Sequence, residues 1–264
     1  MNDPKTLEIS QRSKAVAQIT MSRPDIFNAF DETMIDELDT AFEQLVNDAE
    51  VRIIVLAGAG KHFSAGADLK WMQRASNESQ AWNLADARRF AAMLDKIDSC
   101  PKPTLARIQG AALGGGVGLA CACDIAIAAD NASFTVSEAR FGILPGAISP
   151  YLINAIGKRH ARRLALTMSR IRADEALMLG LIHQVSTLDD LDIAVDATIQ
   201  ELLGGGPNAQ REIKTLFAQL QVGPVTEEVR ELTAYTISRV RSTEEAREGL
   251  SAFLDKRSPD WKPE

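Results

Sequence analysis

The sequence predicts an α/β core followed by a helical section. Up to about residue 150, short apolar runs of strand length alternate with amphipathic segments of helix length, as in proteins with parallel sheets. After residue 158, the apolar residues recur almost wholly at helical spacing. We place the core at residues 1–203 and the helical section at 204–264, because Gly204-Gly-Gly-Pro207 is the clearest linker in the chain.

The elements follow from local patterns, taken in chain order. Apolar and β-branched residues predict strands over 14–21, 52–57, 104–109 and 125–129. Asp31 is a candidate N-cap for a helix over 32–48, whose apolar residues share one face. The same periodicity predicts the remaining helices, over 79–98, 116–123, 158–168, 173–180, 189–203, 207–221, 225–240 and 242–254.

Composition excludes several classes of protein. The 264 residues are 45% hydrophobic and 25% charged, which is typical of a globular chain and not of a disordered one. A net charge of −7 disfavours binding to nucleic acid, and the basic run at 159–163 is interpreted as a solvated helix face. No apolar run approaches the ~18 residues that suggest a membrane span. The N-terminus has no signal-peptide core, so we expect a cytoplasmic protein.

The cysteines and histidines do not form a metal-ligand pattern. Cys100, Cys121 and Cys123 are odd in number and lie among apolar residues, which predicts buried thiols in a reducing compartment. A Cys-x-Cys pair without a second pair or a nearby histidine is a poor metal site, and the three histidines are scattered. We therefore expect neither a metal ion nor a separate cofactor.

A glycine-rich run carries the first candidate site. Ala112-Leu-Gly114-Gly-Gly116-Val-Gly118 follows a predicted strand and precedes a predicted helix. Glycines let a ligand approach the backbone, and a helix N-terminus directs free N–H groups at negative charge. The spacing does not match the G-x-G-x-x-G of dinucleotide loops. A tight structural turn remains the alternative interpretation of this run.

Two further segments complete the pattern. His62-Phe-Ser-Ala-Gly66-Ala67-Asp68 offers a second exposed backbone N–H among small residues, and Ser137-Glu138-Ala-Arg-Phe-Gly142 offers a carboxylate. Two backbone donors can stabilise the oxygen of a thioester as it becomes an enolate, and a carboxylate can move the α proton. The combination indicates chemistry on an acyl thioester, whereas each segment alone is also typical of an ordinary loop.

Together these segments resemble the enoyl-CoA hydratase/isomerase (crotonase) family, from Ser22 to Arg257. The resemblance implies a superhelix of ββα units with a C-terminal helical region, and a homotrimer or homohexamer. It implies an acyl-CoA substrate whose coenzyme A is part of the substrate. It also implies an oxyanion hole made by the backbone N–H groups of Ala67 and Gly115.

The family pattern is incomplete in this chain. Family hydratases typically carry two glutamates, and the position of the first is Gly118 here, while the second is Glu138. Glu138 has Phe134 and Phe141 as sequence neighbours, so we expect partial desolvation to raise its pKa. Asp124 matches a family position that we expect to be structural.

A single glutamate is compatible with two reactions. The segments 62–72, 114–119 and 148–151 resemble the methylglutaconyl-CoA and isohexenylglutaconyl-CoA hydratase branch, whose members often lack the first glutamate. This favours hydration of a β-branched 2-enoyl-CoA. A 3,2-enoyl-CoA isomerase that uses Glu138 alone is the alternative, and a non-catalytic acyl-CoA-binding protein is an alternative of another class.

The resemblance also implies which residues bind substrate and coenzyme A. These are Asp25, Ile26, Phe27, Ser64, Ala65, Gly66, Asp68, Leu69, Trp71, Met72, Gly114, Gly118 and Lys256. Asp25 stands where many relatives carry lysine, and Lys256 is expected to reach the 3′-phosphate of coenzyme A on a neighbouring subunit. A distal carboxylate on the substrate needs a cation, for which the candidates are Lys70, Arg74, Arg88 and Arg89.

Overall fold

The computed structural model describes residues 4–262, so residues 1–3 of the predicted core and 263–264 of the predicted helical section lie outside it. The strands are β1 (Leu7–Ser13), β2 (Val16–Met21), β3 (Ile53–Gly58), β4 (Thr104–Ile108), β5 (Ala111–Leu113), β6 (Ile125–Ala129), β7 (Ser133–Thr135), β8 (Ile171–Arg172) and β9 (Gln184–Ser186). The helices are α1 (Glu32–Asn47), α2 (Leu69–Ala75), α3 (Gln80–Asp98), α4 (Gly115–Ala122), α5 (Ser149–Thr167), α6 (Ala173–Leu179), α7 (Leu191–Gly204), α8 (Pro207–Gln219), α9 (Glu227–Arg241) and α10 (Glu244–Leu254).

The strands form two sheets. The larger has the order β1-β2-β3-β4-β6-β9, in which β1 and β2 are antiparallel and every later neighbour is parallel. The smaller has the order β5-β7-β8. Every residue of β3 is buried, as expected for a parallel strand covered on both faces. The α/β core predicted from the sequence is therefore present.

Helices cover the two faces of the larger sheet. Asp31 caps α1 by accepting from the backbone N–H groups of Thr33 and Met34, as its position predicts. The apolar face of α1 packs in the larger core cluster with α3, α4 and α5. On the opposite face, apolar residues of α7 pack against β3, β4 and β6 in a second cluster.

Several short elements were not expected from the sequence. The strands β1, β5, β7, β8 and β9 and the helix α2 are absent from the predicted set. All of them span seven residues or fewer, too few to show a clear period of apolar residues. In addition, an unexpected helical segment from Ser149 precedes the predicted helix over 158–168. The two segments meet at Gly157, whose φ of 74° and ψ of 153° are not helical, and together they make up α5.

Two basic side chains fasten the C-terminal helices to the core. The Arg52 guanidinium donates to the carbonyls of Leu203, Gly205 and Trp261. The Lys214 ammonium on α8 forms a 2.6 Å ion pair with Asp124. Within residues 4–262, no helix is long and apolar enough to cross a bilayer, and no group of three or more potential metal ligands is found.

Candidate active site

The loop that follows β3 is bound to β5 through Ser64. The Ser64 amide donates to the Ala111 carbonyl at 3.1 Å, and the Leu113 amide donates to the Ser64 carbonyl at 2.9 Å. The Ser64 hydroxyl donates to the Asn28 carbonyl and accepts from the Gly66 amide. Ser64 is fully buried, so it holds the loop in shape and does not line the cavity described below.

Gly66 brings two predicted donors together. Its φ is +81°, and a Cβ there would collide with the Leu113 carbonyl oxygen. The same Cβ would lie 3.1 Å from the Gly115 nitrogen, which shows how closely the loop approaches the start of α4. Only glycine combines this φ with this approach. As a result, Ala67 lies beside the N-terminus of α4.

The amides of Ala67 and Gly115 are available to a ligand. Within the described part of the chain, neither donates to a protein acceptor, and both residues line the same cavity. Gly115 is the first residue of α4, after Gly114 at φ +50°, so its amide belongs to the unpaired set at a helix N-terminus. Two such donors, fixed by the backbone, can stabilise negative charge that develops on one oxygen.

Glu138 lies next to these donors. It begins a 3-10 turn over Glu138–Phe141, and a Cβ at Gly114 would lie 3.2 Å from its Oε1. Its Oε2 is buried and has no hydrogen-bond partner within residues 4–262. Burial raises the pKa of this carboxyl, and the backbone N–H groups of Glu138 and Ser137 offset part of that rise. The group is thus suited to take up and release a proton at higher pH than an ordinary glutamate.

One cavity of about 630 Å³ contains these groups. Most of the residues predicted for the site line it, namely Asp25, Ile26, Phe27, Ala65, Ala67, Asp68, Leu69, Met72, Gly114, Gly115 and Glu138. Lys70 lines it as well, so one of the four candidate cations reaches the cavity. Phe27 is held against the His62 ring in an edge-to-face contact, with centroids 4.8 Å apart.

Five predicted binding residues lie outside the cavity wall: Ser64, Gly66, Trp71, Gly118 and Lys256. Trp71 is 7% exposed and packs on Phe30. Gly118 is buried in α4, where a Cβ would collide with Ile148. Lys256 is exposed just after α10, and its expected contact with a neighbouring subunit stays a prediction.

The other candidate cations differ in their surroundings. Arg74 forms a 2.7 Å ion pair with Glu32, and Arg89 forms a 3.6 Å pair with Asp36. Arg88 is exposed and does not line the cavity. These three side chains therefore lie outside the cavity, in contrast to Lys70.

Two cavity cations, Arg23 and Arg140, were not predicted from the sequence. Arg23 is occupied, because it pairs with Asp31 at 3.0 Å and with Asp68 at 3.2 Å. Arg140 has no ion pair with any of the described residues, as is also true of Lys70. Arg140 could have been predicted as a cavity residue from its position two residues after Glu138, inside the same motif.

Other polar groups of the core have structural roles. Asp124 accepts from the Thr104 amide and hydroxyl and pairs with Lys214, in keeping with the expectation that it is structural. His62 Nδ1 accepts from the Ala111 amide, and His183 Nδ1 accepts from the Ala126 amide, both at 3.0 Å. These interactions join neighbouring strands and loops.

Comparisons with known proteins show the family of this chain. The family model described as enoyl-CoA hydratase/isomerase matches residues 11–264. A putative enoyl-CoA hydratase from Thermus thermophilus is 32% identical over 244 residues, which cover 92% of this chain and 96% of the relative. The short-chain-enoyl-CoA hydratase of Clostridium acetobutylicum is 32% identical over 256 residues, covering 94% and 95% of the two chains.

Solved structures are similar over almost the whole chain. An enoyl-CoA hydratase from Shewanella pealeana has a TM-score of 0.94 and 42% identity, covering 98% of this chain and 97% of its own. Pseudomonas aeruginosa AtuE has a TM-score of 0.93 and 36% identity, covering 98% and 100%. The predicted fold class is confirmed, while the finer branch within the family stays a prediction. The chain belongs to the enoyl-CoA hydratase/isomerase (crotonase) family of enzymes.

Proposed function

We propose that this enzyme adds water to a β-branched 2-enoyl-CoA of the 3-methylglutaconyl-CoA or isohexenylglutaconyl-CoA type, with Glu138 as the single acid/base. The observation that carries the proposal is the position of the Glu138 carboxyl. It is desolvated, has an unpartnered oxygen, and lies beside Gly114, next to the amides of Ala67 and Gly115. This arrangement unites a proton-transfer group with an oxyanion hole.

The reaction follows from this geometry. The thioester oxygen accepts hydrogen bonds from the Ala67 and Gly115 amides, which stabilise the enolate formed when water adds to the β carbon. The Glu138 carboxylate takes a proton from the water and returns it to the α carbon, so one water is added and Glu138 is regenerated. One carboxyl thus performs both transfers.

The packing at position 118 supports a mechanism with one carboxyl. Gly118 has no side chain, and Ile148 fills the space that one would occupy. Asp68, the acidic residue after Ala67, caps α2 and pairs with Arg23, so its carboxylate is already occupied. Glu138 is thereby the group best placed for proton transfer at the thioester.

The branched acyl group with a distal carboxylate is supported by two features. The first is the resemblance of segments 62–72, 114–119 and 148–151 to the glutaconyl-type branch. The second is the presence of Lys70 and Arg140 on the cavity wall, where neither has an ion pair within residues 4–262. Such cations can bind a carboxylate of the acyl group or phosphates of coenzyme A.

A 3,2-enoyl-CoA isomerase is the second candidate. The observation that favours it is again the single carboxyl, because moving a proton between the α and γ carbons needs only one base. The oxyanion hole would serve the same purpose in both reactions, since both pass through an enolate.

The products separate the candidates. The purified protein is incubated with 3-methylglutaconyl-CoA and, separately, with a linear 3-enoyl-CoA, and the products are identified by mass. A gain of one water on the branched substrate is the expected result. A mass-neutral shift of the double bond in the linear substrate, with hydration of neither, supports the isomerase. Binding without turnover of either thioester supports an acyl-CoA-binding protein.

We also propose that the chain forms a homotrimer or homohexamer. Large apolar side chains on the C-terminal helices are exposed in the single chain, among them Phe217, Phe253 and Leu254. Exposed apolar groups of this size are typical of surfaces that a second chain covers. Light scattering coupled to size-exclusion chromatography tests the proposal, and a mass of one chain contradicts it.

A further inference from the structure

Ser137 places a hydroxyl on the cavity wall next to Glu138. It is half-buried and stands at the N-cap position of the 3-10 turn Glu138–Phe141. A serine at an N-cap usually accepts a hydrogen bond from the backbone that follows, but the Ser137 side chain accepts none. Among residues 4–262 its hydroxyl has no hydrogen-bond partner. Because its oxygen is not fully buried, unlike Glu138 Oε2, the hydroxyl is available to a ligand in the cavity.

Gly114 leaves a small space beside this hydroxyl and the carboxyl. Outside its own neighbours in the chain, the two atoms closest to a Cβ at Gly114 would be Glu138 Oε1 at 3.2 Å and Ser137 Oγ at 3.4 Å. The Gly114 amide donates to the Thr135 carbonyl at 2.8 Å, which holds the two segments together. Since glycine has no side chain, both oxygens border the same space. A water molecule at this point of the cavity can therefore contact both of them.

The proposed hydration needs a second contact to the attacking water. A water held by Glu138 Oε1 alone is free to turn about that one hydrogen bond, so its oxygen has no fixed direction toward the β carbon. Glu138 Oε2 is buried and cannot supply the second contact from the cavity side. Gly118 has no side chain, and Ile148 fills the space beside it. The second contact must come from another group on the cavity wall.

The chemistry of the wall selects Ser137 for this contact. A water that gives one proton to a carboxylate needs an acceptor for its other hydrogen, whereas the cations Lys70 and Arg140 only donate hydrogen bonds. Asp68 is occupied by an ion pair and by capping α2. Asp25 lies on a separate turn of the chain. The Ser137 hydroxyl can accept a hydrogen bond, and it borders the same space as the carboxyl.

We infer that Ser137 is a further catalytic residue, whose hydroxyl accepts a hydrogen bond from the attacking water and so directs the water oxygen at the β carbon. The inference rests on the proposed function, because only hydration uses a water. The water oxygen bonds to the β carbon, and one of its protons passes to Glu138 and from there to the α carbon. The other hydrogen stays on the product hydroxyl, beside Ser137. Ser137 itself forms no covalent bond and keeps its own proton.

Two reactions at the same site separate this role from a structural one. The first is hydration of 3-methylglutaconyl-CoA. The second is exchange of the α hydrogen of 3-methylglutaryl-CoA for deuterium in D₂O, followed by mass, which uses Glu138 and the oxyanion hole but no attacking water. We expect Ser137→Ala to lower kcat/KM for hydration about tenfold, the effect of one lost hydrogen bond, while the exchange rate stays unchanged.

Ser133→Ala is the matched control. Ser133 is half-buried on β7, four residues before Ser137, and it does not line the cavity. Its side chain also has no hydrogen-bond partner among the described residues, so the same atom is removed from a similar setting. Both reactions should proceed in this variant as in the unaltered protein. The melting temperature of Ser137→Ala should also be unchanged, because no described protein group loses a hydrogen bond.

The outcomes separate this inference from the proposed function. Hydration by Ser137→Ala at the rate of the unaltered protein overturns the inference alone. Equal losses in hydration and exchange also overturn it, because Ser137 then supports the whole site and not the water. If the unaltered protein exchanges the α hydrogen but hydrates neither 3-methylglutaconyl-CoA nor the linear crotonyl-CoA, the proposed function fails, and the inference fails with it.

Discussion

At the scale of single residues, Glu138 combines burial with an unpartnered oxygen. Desolvation raises the pKa of its carboxyl, and the Oε2 atom has no acceptor or donor partner among residues 4–262. A carboxylate fully satisfied by the protein would be a weak base, because its hydrogen bonds would be lost on protonation. The lack of a hydrogen-bond partner at Glu138 Oε2 is thus consistent with proton transfer to and from a substrate.

Substituting Glu138 should separate binding from chemistry. In Glu138→Gln we expect kcat to fall by about 10²–10⁴-fold, the usual contribution of a positioned acid/base. Binding of a coenzyme A thioester, measured by calorimetry, should change little, because the amides of Ala67 and Gly115 remain. Turnover that survives this substitution would contradict the assigned role.

The pH dependence follows from the direction of the pKa shift. Hydration needs Glu138 as the carboxylate, so kcat/KM should rise with pH through the raised pKa, at higher pH than for an ordinary glutamate. The free energy of unfolding changes with pH in the opposite direction to kcat/KM. Because the pKa of Glu138 is higher in the folded than in the unfolded protein, Glu138 stabilises the fold fully below its unfolded pKa. This stabilisation is lost as the pH rises through the folded pKa. A pH–rate profile with no acidic limb above the ordinary glutamate range would contradict the shift.

Gly118 and Ile148 form a contact that a side chain cannot enter. A Cβ at position 118 would collide with Ile148, which is 1% exposed. We expect Gly118→Ala to lower the free energy of unfolding by about 1–3 kcal/mol, measured by urea denaturation. Combined with Ile148→Ala, which opens space, the cost should be smaller than the sum of the two single changes. Additive costs would show that the two positions are not in contact.

At the scale of elements, the turn before α1 shapes the entrance to the cavity. Asn28 is fully buried and has a φ of +55°. Its side-chain Nδ2 donates to the carbonyls of Ala59 and His62 at 2.9 and 2.8 Å. Its side-chain oxygen accepts from the Arg23 amide at 3.0 Å. These bonds hold the turn that presents Asp25, Ile26 and Phe27 to the cavity.

Removing the Asn28 side chain should loosen this turn. In Asn28→Ala we expect a loss of about 2–4 kcal/mol in the free energy of unfolding, because two partly buried carbonyls lose their donors and alanine disfavours this φ. Affinity for coenzyme A thioesters should weaken as well. Asn47→Ala is the control, since Asn47 is exposed at the end of α1, and its effect should stay within about 0.5 kcal/mol. Equal effects of both variants would contradict the role of the turn.

At the scale of the whole molecule, Arg52 joins the sheet to the C-terminal section. Its guanidinium donates to three carbonyls, two around the α7–α8 junction and one at Trp261. In Arg52→Met we expect a loss of about 2–4 kcal/mol in stability, because these partly buried carbonyls lose a charged donor. Arg52→Lys should recover only part, since one ammonium cannot match the planar fork.

Limited proteolysis locates the effect of Arg52. Cleavage in Arg52→Met should begin near residues 204–206, where the freed carbonyls lie, before the core is cut. Lys14→Met is the control, because Lys14 and its partner Glu50 are largely exposed and 3.4 Å apart, and such pairs contribute little. A uniform cleavage pattern in both variants would show that Arg52 does not join the two sections.

The sequence by itself determined the features that depend on local chemistry. Apolar periodicity and the Asp31 cap placed α1, and a run of small and β-branched residues placed β6. The resemblance of three motifs to the crotonase family implied that Glu138, Ala67 and Gly115 share one site, and all three line the same cavity. The helix and the strand can be predicted from the sequence because a helix period, a cap or a glycine turn is specified by neighbouring residues.

Only the tertiary structure decided how distant segments meet. It formed the β5-β7-β8 sheet and filled the space beside Gly118 with Ile148. It also brought Arg140 and Lys70 into one cavity while leaving Trp71 out of it. Such contacts depend on side chains far apart in the chain, whose burial and pairing carry no local period, so they appear only when the chain is folded.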